Sequence, residues 1–200
     1  MTEENGGTEM GLFLETVLIQ GCGQEEAKTI IKAIEDRYSC SDEEAAYDIT
    51  NLAADQCQYR EYADGVSILI NEDCIGYEEL AEAISSDFSK VVMLLYIYDG
   101  DFWAYALFDN GELVDKFNPQ PDYFEEVSEE VLEASKGNAD IVAKYFHVDK
   151  ANIEKYLVRW EDDLGDMEET AYDDDEFGFG DWQMADFMRK LGYPYEFEEA

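Results

Sequence analysis

Residues 99–124, DGDFWAYALFDNGELVDKFNPQPDYF, carry the clearest structural signal in the chain. Two turn dipeptides, Asp99-Gly100 and Asn110-Gly111, separate segments that are rich in aromatic and other apolar residues. Such a dipeptide between apolar segments is the sequence signature of a two-residue β-hairpin turn. The preceding segment, KVVMLLYIY at 90–98, is a continuous apolar run typical of a buried strand. Together these segments predict a three-stranded β-meander.

Two-residue turns at both dipeptides would fix the register of this meander, and with it the residues on each face. The paired residues would be Tyr96 with Trp103, Ile97 with Phe102, Phe108 with Leu113, and Leu107 with Val114. One face would carry Leu95, Ile97, Phe102, Ala104, Ala106, Phe108, Leu113 and Phe117. The other face, which we call the Tyr-Trp face, would carry Tyr96, Tyr98, Trp103, Tyr105, Leu107 and Lys116. We expect the C-terminal helices to cover the Tyr-Trp face, and the alternative is that this face is exposed and binds a partner.

Upstream of the meander, helical and strand signals alternate. Residues 11–19 predict a strand, and residues 24–38 an amphipathic helix. A capping box formed by Ser41 and Glu44 indicates a second helix, with a buried stripe of Ala45, Ile49, Leu52 and Ala53. Asp64-Gly65 predicts a hairpin turn within 56–71, and a helix should follow at 76–87. Apart from the additional helix, this order is that of the split βαβ, ferredoxin-like unit.

The C-terminal third predicts helices. Asn138 and Asp149 are candidate N-caps of helices within 128–160, and a last helix is expected at 181–191. The fold class is therefore α+β, with a mixed or antiparallel sheet of about six strands, a ferredoxin-like (split βαβ) start, a C-terminal β-meander and several C-terminal helices. Residues 1–9 should be flexible. A single domain should span 10–200, with a sheet-forming part at 10–126 and a helical part at 127–200 that holds an acidic loop, 161–181.

The charge of the chain restricts its partners. Fifty acidic residues against 13 basic ones give a formal net charge of -37. Nucleic acid and anionic membranes should be repelled, and the compact state must bear its own self-repulsion. A cationic partner, a high-salt cytoplasm or divalent cations could compensate this charge. We favour the first, a basic protein, which could be a toxin or a nucleic-acid-binding protein.

Cysteine and histidine usage speaks against a metal cofactor. Cys22, Cys40, Cys57 and Cys74 form no Cys-x-x-Cys pair, and the single histidine, His147, is distant in sequence. The apolar run near the start has acidic flanks, unlike a signal peptide, and no stretch reaches the roughly 20 apolar residues of a membrane span. We therefore expect reduced thiols, a cytoplasmic protein and no cofactor.

Catalysis and calcium binding find little support. Residues 173–184 place Asp173, Asp175 and Gly178 at EF-hand positions, but Phe177 and Met184 occupy positions that require oxygen ligands. A looser carboxylate site for Ca²⁺ or Mg²⁺ stays open, as does a carboxylate- or metal-dependent enzyme. His147, near the end of a predicted helix, is better explained as a helix-terminal residue than as a general base.

One segment resembles a known group of proteins. Phe108, Asp109 and Gly111, then Asp115 and Phe117, then Pro121, Tyr123 and Phe124 form the pattern aromatic-Asp-x-Gly, Asp-x-aromatic, Pro-x-Tyr-Phe. This pattern is similar to that of a family of uncharacterised acidic bacterial proteins. In general character, small, acidic and without catalytic motifs, the chain also resembles toxin-immunity proteins. That resemblance implies a protein that neutralises a cationic toxin by covering it.

The predicted function is therefore that of a non-catalytic acidic protein that docks a basic protein, as an immunity-type inhibitor of a toxin. A nucleic-acid-mimicking inhibitor is the alternative within the same physical class. Acidic side chains would provide complementary potential, and interleaved aromatic residues would provide apolar anchors. No catalytic and no metal-ligating residue is assigned. The predicted partner-binding residues are Asp122, Glu125, Glu126, Asp162, Asp163, Asp173, Asp174, Asp175 and Trp182.

Overall fold

A computed structural model of the protein describes residues 11–38, 46–160 and 169–198. It shows an α+β fold with one six-stranded sheet. The strands are β1 Leu14–Gln20, β2 Gln58–Tyr62, β3 Gly65–Leu69, β4 Val91–Tyr98, β5 Phe102–Asp109 and β6 Glu112–Phe117. The helices are α1 Gln24–Tyr38, α2 Tyr77–Phe88, α3 Glu129–Ala134, α4 Ala139–Phe146 and α5 Gln183–Lys190, with short 3-10 helices at Lys150–Asn152 and Glu154–Tyr156.

The sheet has the order β2-β3-β1-β4-β5-β6, and all its pairings are antiparallel. Strand β3 separates β1 from β2, and β1 separates β3 from β4, as a split βαβ arrangement requires. The ferredoxin-like start is therefore confirmed. Strands β5 and β6 extend the sheet beyond β4 as the predicted meander.

The sheet is covered on both faces. Alternate residues of β1 point to opposite sides. Val17 and Ile19 pack into a core with α1 and α2, whereas Leu18 packs into a second core with residues of the C-terminal third. Trp103 and Phe187 belong to this second core, with ring centroids 5.1 Å apart. The C-terminal segment therefore covers Trp103 and Tyr105 of the predicted Tyr-Trp face, whereas Tyr98 of that face is only half-buried.

The first hairpin turns at the predicted dipeptide but has a different register. Asp99 and Gly100 both have positive φ, and Tyr98 O accepts a hydrogen bond of 2.9 Å from Asp101 N, as in a type I′ turn. Pairing resumes at Tyr98 with Phe102, so Asp101 is an additional residue outside the ladder. The predicted register was wrong by one residue.

This shift changes the two faces of the meander. Ile97 pairs with Trp103, and Tyr96 pairs with Ala104. Trp103 therefore lies on the same face as Ile97, opposite to the prediction. In the second hairpin the pairing of Phe108 with Leu113 is confirmed. An irregularity beside Phe108 then pairs Leu107 with Asp115, so the predicted partner Val114 was wrong.

The hairpin between β2 and β3 is also shifted by one residue. Tyr62 pairs with Gly65, so Ala63 and Asp64 form the turn and Gly65 is the first residue of β3. Gly65 is required by close packing, because a Cβ at this position would lie 2.1 Å from the carbonyl oxygen of Ile19.

Two predicted helices differ from the structure. Ser41 to Ala45 lie outside the described residues, and residues 46–57 contain turns and an isolated bridge between Thr50 and Ile75 in place of a helix. Ile49 and Leu52 are nevertheless buried. After Asp149, whose carboxylate accepts a hydrogen bond from Ala151 N, the chain forms 3-10 turns and not an α-helix.

Candidate functional site

A cluster of exposed aromatic rings lies at the tip of the β4–β5 hairpin. Phe13, Tyr123 and Phe124 have 52, 41 and 71% of their surface exposed. Their rings meet around half-buried Tyr98, whose centroid lies 5.1 Å from that of Phe13, 6.0 Å from that of Tyr123 and 5.2 Å from that of Phe124. Large exposed aromatic groups of this kind mark interaction surfaces. We call these four residues, together with the acidic residues Asp99, Asp101, Asp122, Glu125, Glu126 and Asp181 described below, the aromatic–acidic patch.

The loop after β6 holds this patch in place. Asn118 Oδ1 accepts a hydrogen bond of 2.8 Å from Gln120 N, and the carbonyl oxygen of Pro119 accepts one of 2.9 Å from Trp160 N. Pro119 and Trp160 are buried, so the loop is attached to the core. Tyr123 donates its hydroxyl hydrogen to Asp101, and this hydrogen bond raises the pKa of Tyr123 to about 12.

Carboxylates surround the aromatic rings. Asp99 and Asp101 are exposed in the hairpin turn. Asp181 reaches the same turn, since a Cβ at Gly100 would lie 3.9 Å from Asp181 Oδ2. Partial burial raises the pKa of Asp181, and the negative charge of Asp101 raises it further. The turn is therefore a point of concentrated negative potential.

The predicted residues Asp122, Glu125 and Glu126 flank Tyr123 and Phe124 and are all exposed. Asp122 accepts a hydrogen bond of 2.7 Å from the guanidinium of Arg159, which neutralises part of its charge. No ion pair to Glu125 or Glu126 occurs within the described ranges. These two carboxylates are available to a cationic partner.

The acidic segment 169–181 is bound internally by two basic residues of α5. Asp174 pairs with Lys190 at 2.5 Å and with Arg189 at 3.2 Å. The carboxylate of Asp175 is fully buried, and it accepts hydrogen bonds from Tyr156 Oη at 2.5 Å and from Arg189 at 3.2 Å. Asp175 therefore stabilises the fold, and its carboxylate is not accessible to a partner.

Asp186 completes this internal network. Its side chain is buried, accepts hydrogen bonds from the backbone nitrogens of Glu176 and Phe177 at 2.9 and 2.8 Å, and pairs with Arg189 at 2.8 Å. Composition gave no means of distinguishing Asp186 from the exposed acids. The network holds the segment between Tyr172 and Trp182 against α5.

The remaining predicted site residues have different environments. Asp173 is exposed, whereas Trp182 is half-buried and contacts Phe177 and Tyr195. Asp162 and Asp163 lie outside the described residues. The structure thus brings Asp122, Glu125 and Glu126 to the aromatic–acidic patch and places Asp174 and Asp175 in the network with α5.

Sequence reasoning missed the aromatic component of the patch. The sequence pattern predicts Tyr98 on a face covered by helices, and it gives Tyr123 and Phe124 no role beyond the resemblance. The one available signal was the segment PDYF directly after two strand-ending prolines, because large apolar residues in a short surface loop are unusual.

Within residues 11–38, 46–160 and 169–198, no group of three or more His, Cys, Asp or Glu side chains is arranged to hold a metal ion. Cys22, Cys57 and Cys74 are buried and unpaired with one another, and burial raises the pKa of each thiol. His147 is exposed and forms the C-cap of α4 in the left-handed conformation.

None of the helices in the described part of the chain combines the length and apolar character needed to cross a membrane. Comparison of the chain with protein-family models, with curated proteins and with solved structures gives no match.

Proposed function

We propose that this chain is a non-catalytic, cytoplasmic binding protein that docks a basic protein through the aromatic–acidic patch and acts as an immunity-type inhibitor of a toxin. The observation that carries the proposal is the exposed cluster around Tyr98, with Tyr123 and Phe124 beside the unpaired carboxylates of Glu125 and Glu126.

The aromatic rings would supply most of the binding free energy. Interface hot spots are enriched in aromatic residues, and a central anchor contributes about 2 kcal/mol or more. Phe124 is the most exposed of the four rings, so it would bury the largest additional area on binding. Its contacts with Tyr98 and Tyr123 already fix its position, which lowers the entropic cost of association.

The carboxylates would select the partner. Complementary potential accelerates encounter and excludes wrong partners more than it adds affinity. Asp99, Asp101 and Asp181 at the hairpin turn, and Glu125 and Glu126 directly after Phe124 in the chain, present negative charge beside the aromatic surface. A basic surface with an apolar centre is the complement of this arrangement.

The experiment is quantitative affinity capture from the source cell with three proteins: the native chain, the double variant Glu125→Gln/Glu126→Gln, and the matched control Glu78→Gln/Glu79→Gln. Both variants remove two adjacent exposed charges, and the control pair lies on α2, outside the residues that form the patch. The proposal expects one basic protein to be retained by the native chain and the control and lost from the patch variant. Equal retention by all three proteins would contradict it.

A nucleic-acid mimic belongs to the same physical class, and competition separates the two. Duplex DNA added to the captured complex should displace a partner whose nucleic-acid site is occupied by the carboxylates. If the partner stays bound at saturating DNA, the chain docks on a basic surface of the partner other than its nucleic-acid site.

A further inference from the structure

The rings of the aromatic–acidic patch have faces that are open to solvent. Phe124 is the most exposed of the four, and its exposure leaves at least one face of its ring uncovered. The rings of Tyr123 and Tyr98 stand at 84° and 90° to it, with centroids 4.9 and 5.2 Å from its own. A group that lies on Phe124 is therefore adjacent to two further rings. The face of an aromatic ring carries negative partial charge and attracts cations.

The cations of the chain itself do not occupy these faces. All 13 Lys and Arg residues belong to the described part of the chain. Five cation–π contacts occur there, and each involves a ring outside the patch. In one of them, Arg60 Cζ lies 5.6 Å from the ring centroid of Phe197. The patch rings are thus available to a cation that another molecule supplies.

Carboxylates lie beside the same rings. The hydroxyl of Tyr123 donates a hydrogen bond to Asp101, which fixes a carboxylate at the end of that ring. A carboxylate has about four acceptor sites, so this bond leaves others for a further donor. Glu125 directly follows Phe124 and is exposed. Neither Asp101 nor Glu125 forms an ion pair within the described ranges.

Among cationic side chains, arginine matches both features of the patch. Its guanidinium is planar and weakly hydrated, so one face can stack on an aromatic ring while the N–H groups donate to carboxylates in the plane. The ammonium group of lysine is compact and strongly hydrated, and it has no flat face. Aromatic rings bordered by carboxylates therefore favour a guanidinium over an ammonium group.

We propose that the aromatic–acidic patch holds its basic partner by an arginine side chain, whose guanidinium stacks on Phe124 beside Tyr123 and donates hydrogen bonds to the adjacent carboxylates. This inference rests on the proposed function and adds to it the group by which the partner is held. Because the rings and carboxylates are present in the free chain, the patch should also bind an isolated arginine side chain, with millimolar affinity.

The test uses three peptides with the full chain: acetyl-Gly-Arg-Gly-amide and its citrulline and lysine analogues. Citrulline has nearly the shape of arginine without the charge, and lysine has the charge without the planar group. Binding is followed by the NMR signals of the ring protons of Phe124 and Tyr123. We expect the arginine peptide to bind about fivefold more tightly than the lysine peptide, and the citrulline peptide to give no saturation.

Three results on the native chain would overturn the proposal. Equal binding of the arginine and lysine peptides would show that the patch responds to charge alone. Equal binding of the arginine and citrulline peptides would show that the charge has no part in recognition. Unshifted ring signals at about 20 mM arginine peptide, where millimolar affinity is detected, would show that the patch does not bind this side chain.

Phe124→Leu is the decisive variant, because it retains an apolar side chain and removes the ring. It should weaken binding of the arginine peptide about fivefold, to the level of the lysine peptide, as followed by the Tyr123 signals. The matched control is Phe197→Leu, which removes a half-buried ring outside the patch that Arg60 already covers. This control should bind both peptides like the native chain. A preference for arginine that persists in Phe124→Leu refutes stacking on this ring.

The peptide titrations and the affinity capture fail independently. If the native chain captures a basic protein but does not prefer the arginine peptide, the docking function stands and the arginine anchor is refuted. If no basic protein is captured but the arginine preference depends on Phe124, the docking function is refuted and the arginine site stands.

Discussion

Tyr123 donates its hydroxyl hydrogen to the carboxylate of Asp101, and this contact joins the loop after β6 to the turn between β4 and β5. Asp101 is the additional residue that shifts the register of that hairpin. The same residue therefore sets the faces of the sheet and positions an exposed ring of the patch.

This contact predicts the titration of Tyr123. The hydrogen bond to Asp101 raises the pKa of Tyr123 to about 12, because a carboxylate acceptor stabilises the protonated phenol. Asp101→Asn should lower the pKa of Tyr123 toward the ordinary tyrosine value of about 10, as measured by ¹³C NMR of the ring. Asp109→Asn is the control, since Asp109 accepts a hydrogen bond from Tyr145 at 2.9 Å and should leave Tyr123 unaffected. An unshifted Tyr123 in Asp101→Asn would refute the contact.

The network around α5 predicts a large difference between two ion-pair variants. Asp186→Ala removes a buried carboxylate that serves two backbone nitrogens and Arg189, so it should reduce the free energy of unfolding by about 3 kcal/mol. Arg159→Met breaks the partly exposed pair with Asp122 and should cost less than about 1 kcal/mol. Urea unfolding measures both. Similar losses in the two variants would show that Asp186 is not a structural centre.

Glu15 predicts a specific pH dependence of stability. Burial raises its pKa to about 7 in the folded chain, compared with the ordinary 4.5 when unfolded, so the folded state binds the proton more tightly. The stabilisation of the folded state by this proton is full below pH 4.5 and is lost as the pH rises to about 7. Above that pH, Glu15 no longer changes the free energy of unfolding. Glu15→Gln should therefore gain about 2 to 3 kcal/mol relative to the native chain between pH 4 and pH 8. A difference between the two proteins that is independent of pH would contradict this assignment.

Two glycines should respond differently to substitution by alanine. Gly65→Ala places a methyl group 2.1 Å from the carbonyl oxygen of Ile19, inside the pairing of β1 with β3, and should cost about 3 kcal/mol or more. Gly21→Ala meets no atom within 4 Å, and its φ of +65° should cost about 1 kcal/mol. Thermal unfolding of both variants provides the comparison, and equal losses would argue against the close approach at Gly65.

Sequence alone predicted those features of the fold that depend on local chemistry. The periodicity of Ala27, Ile30, Ile31 and Ile34 identified the buried stripe of α1, and Asn138 was recognised as an N-cap whose side chain accepts a hydrogen bond from Asp140 N at 3.0 Å. The order of strands and helices from β1 to β4 led to the correct sheet topology.

Features that depend on contacts distant in sequence could not be predicted in this way. A turn dipeptide fixes the turn type, but the additional residue Asp101 becomes evident only in the ladder. Similarly, Asp175 and Glu125 are both acidic residues in acidic segments, and the sequence alone does not distinguish their environments. Only the packing of α5 shows that one carboxylate is buried beside Arg189 and the other is exposed.

The binding surface is tested most directly by two patch variants, Phe124→Ala and Glu125→Gln/Glu126→Gln, each compared with Glu78→Gln/Glu79→Gln. Their binding to the basic protein that the native chain captures is measured by calorimetric titration for affinity and by stopped-flow mixing for the association rate. Loss of an aromatic anchor should weaken binding about 30-fold, loss of the two charges should reduce the association rate and its salt dependence, and the control should bind like the native chain. Native affinity in both patch variants would show that the aromatic–acidic patch is not the docking surface.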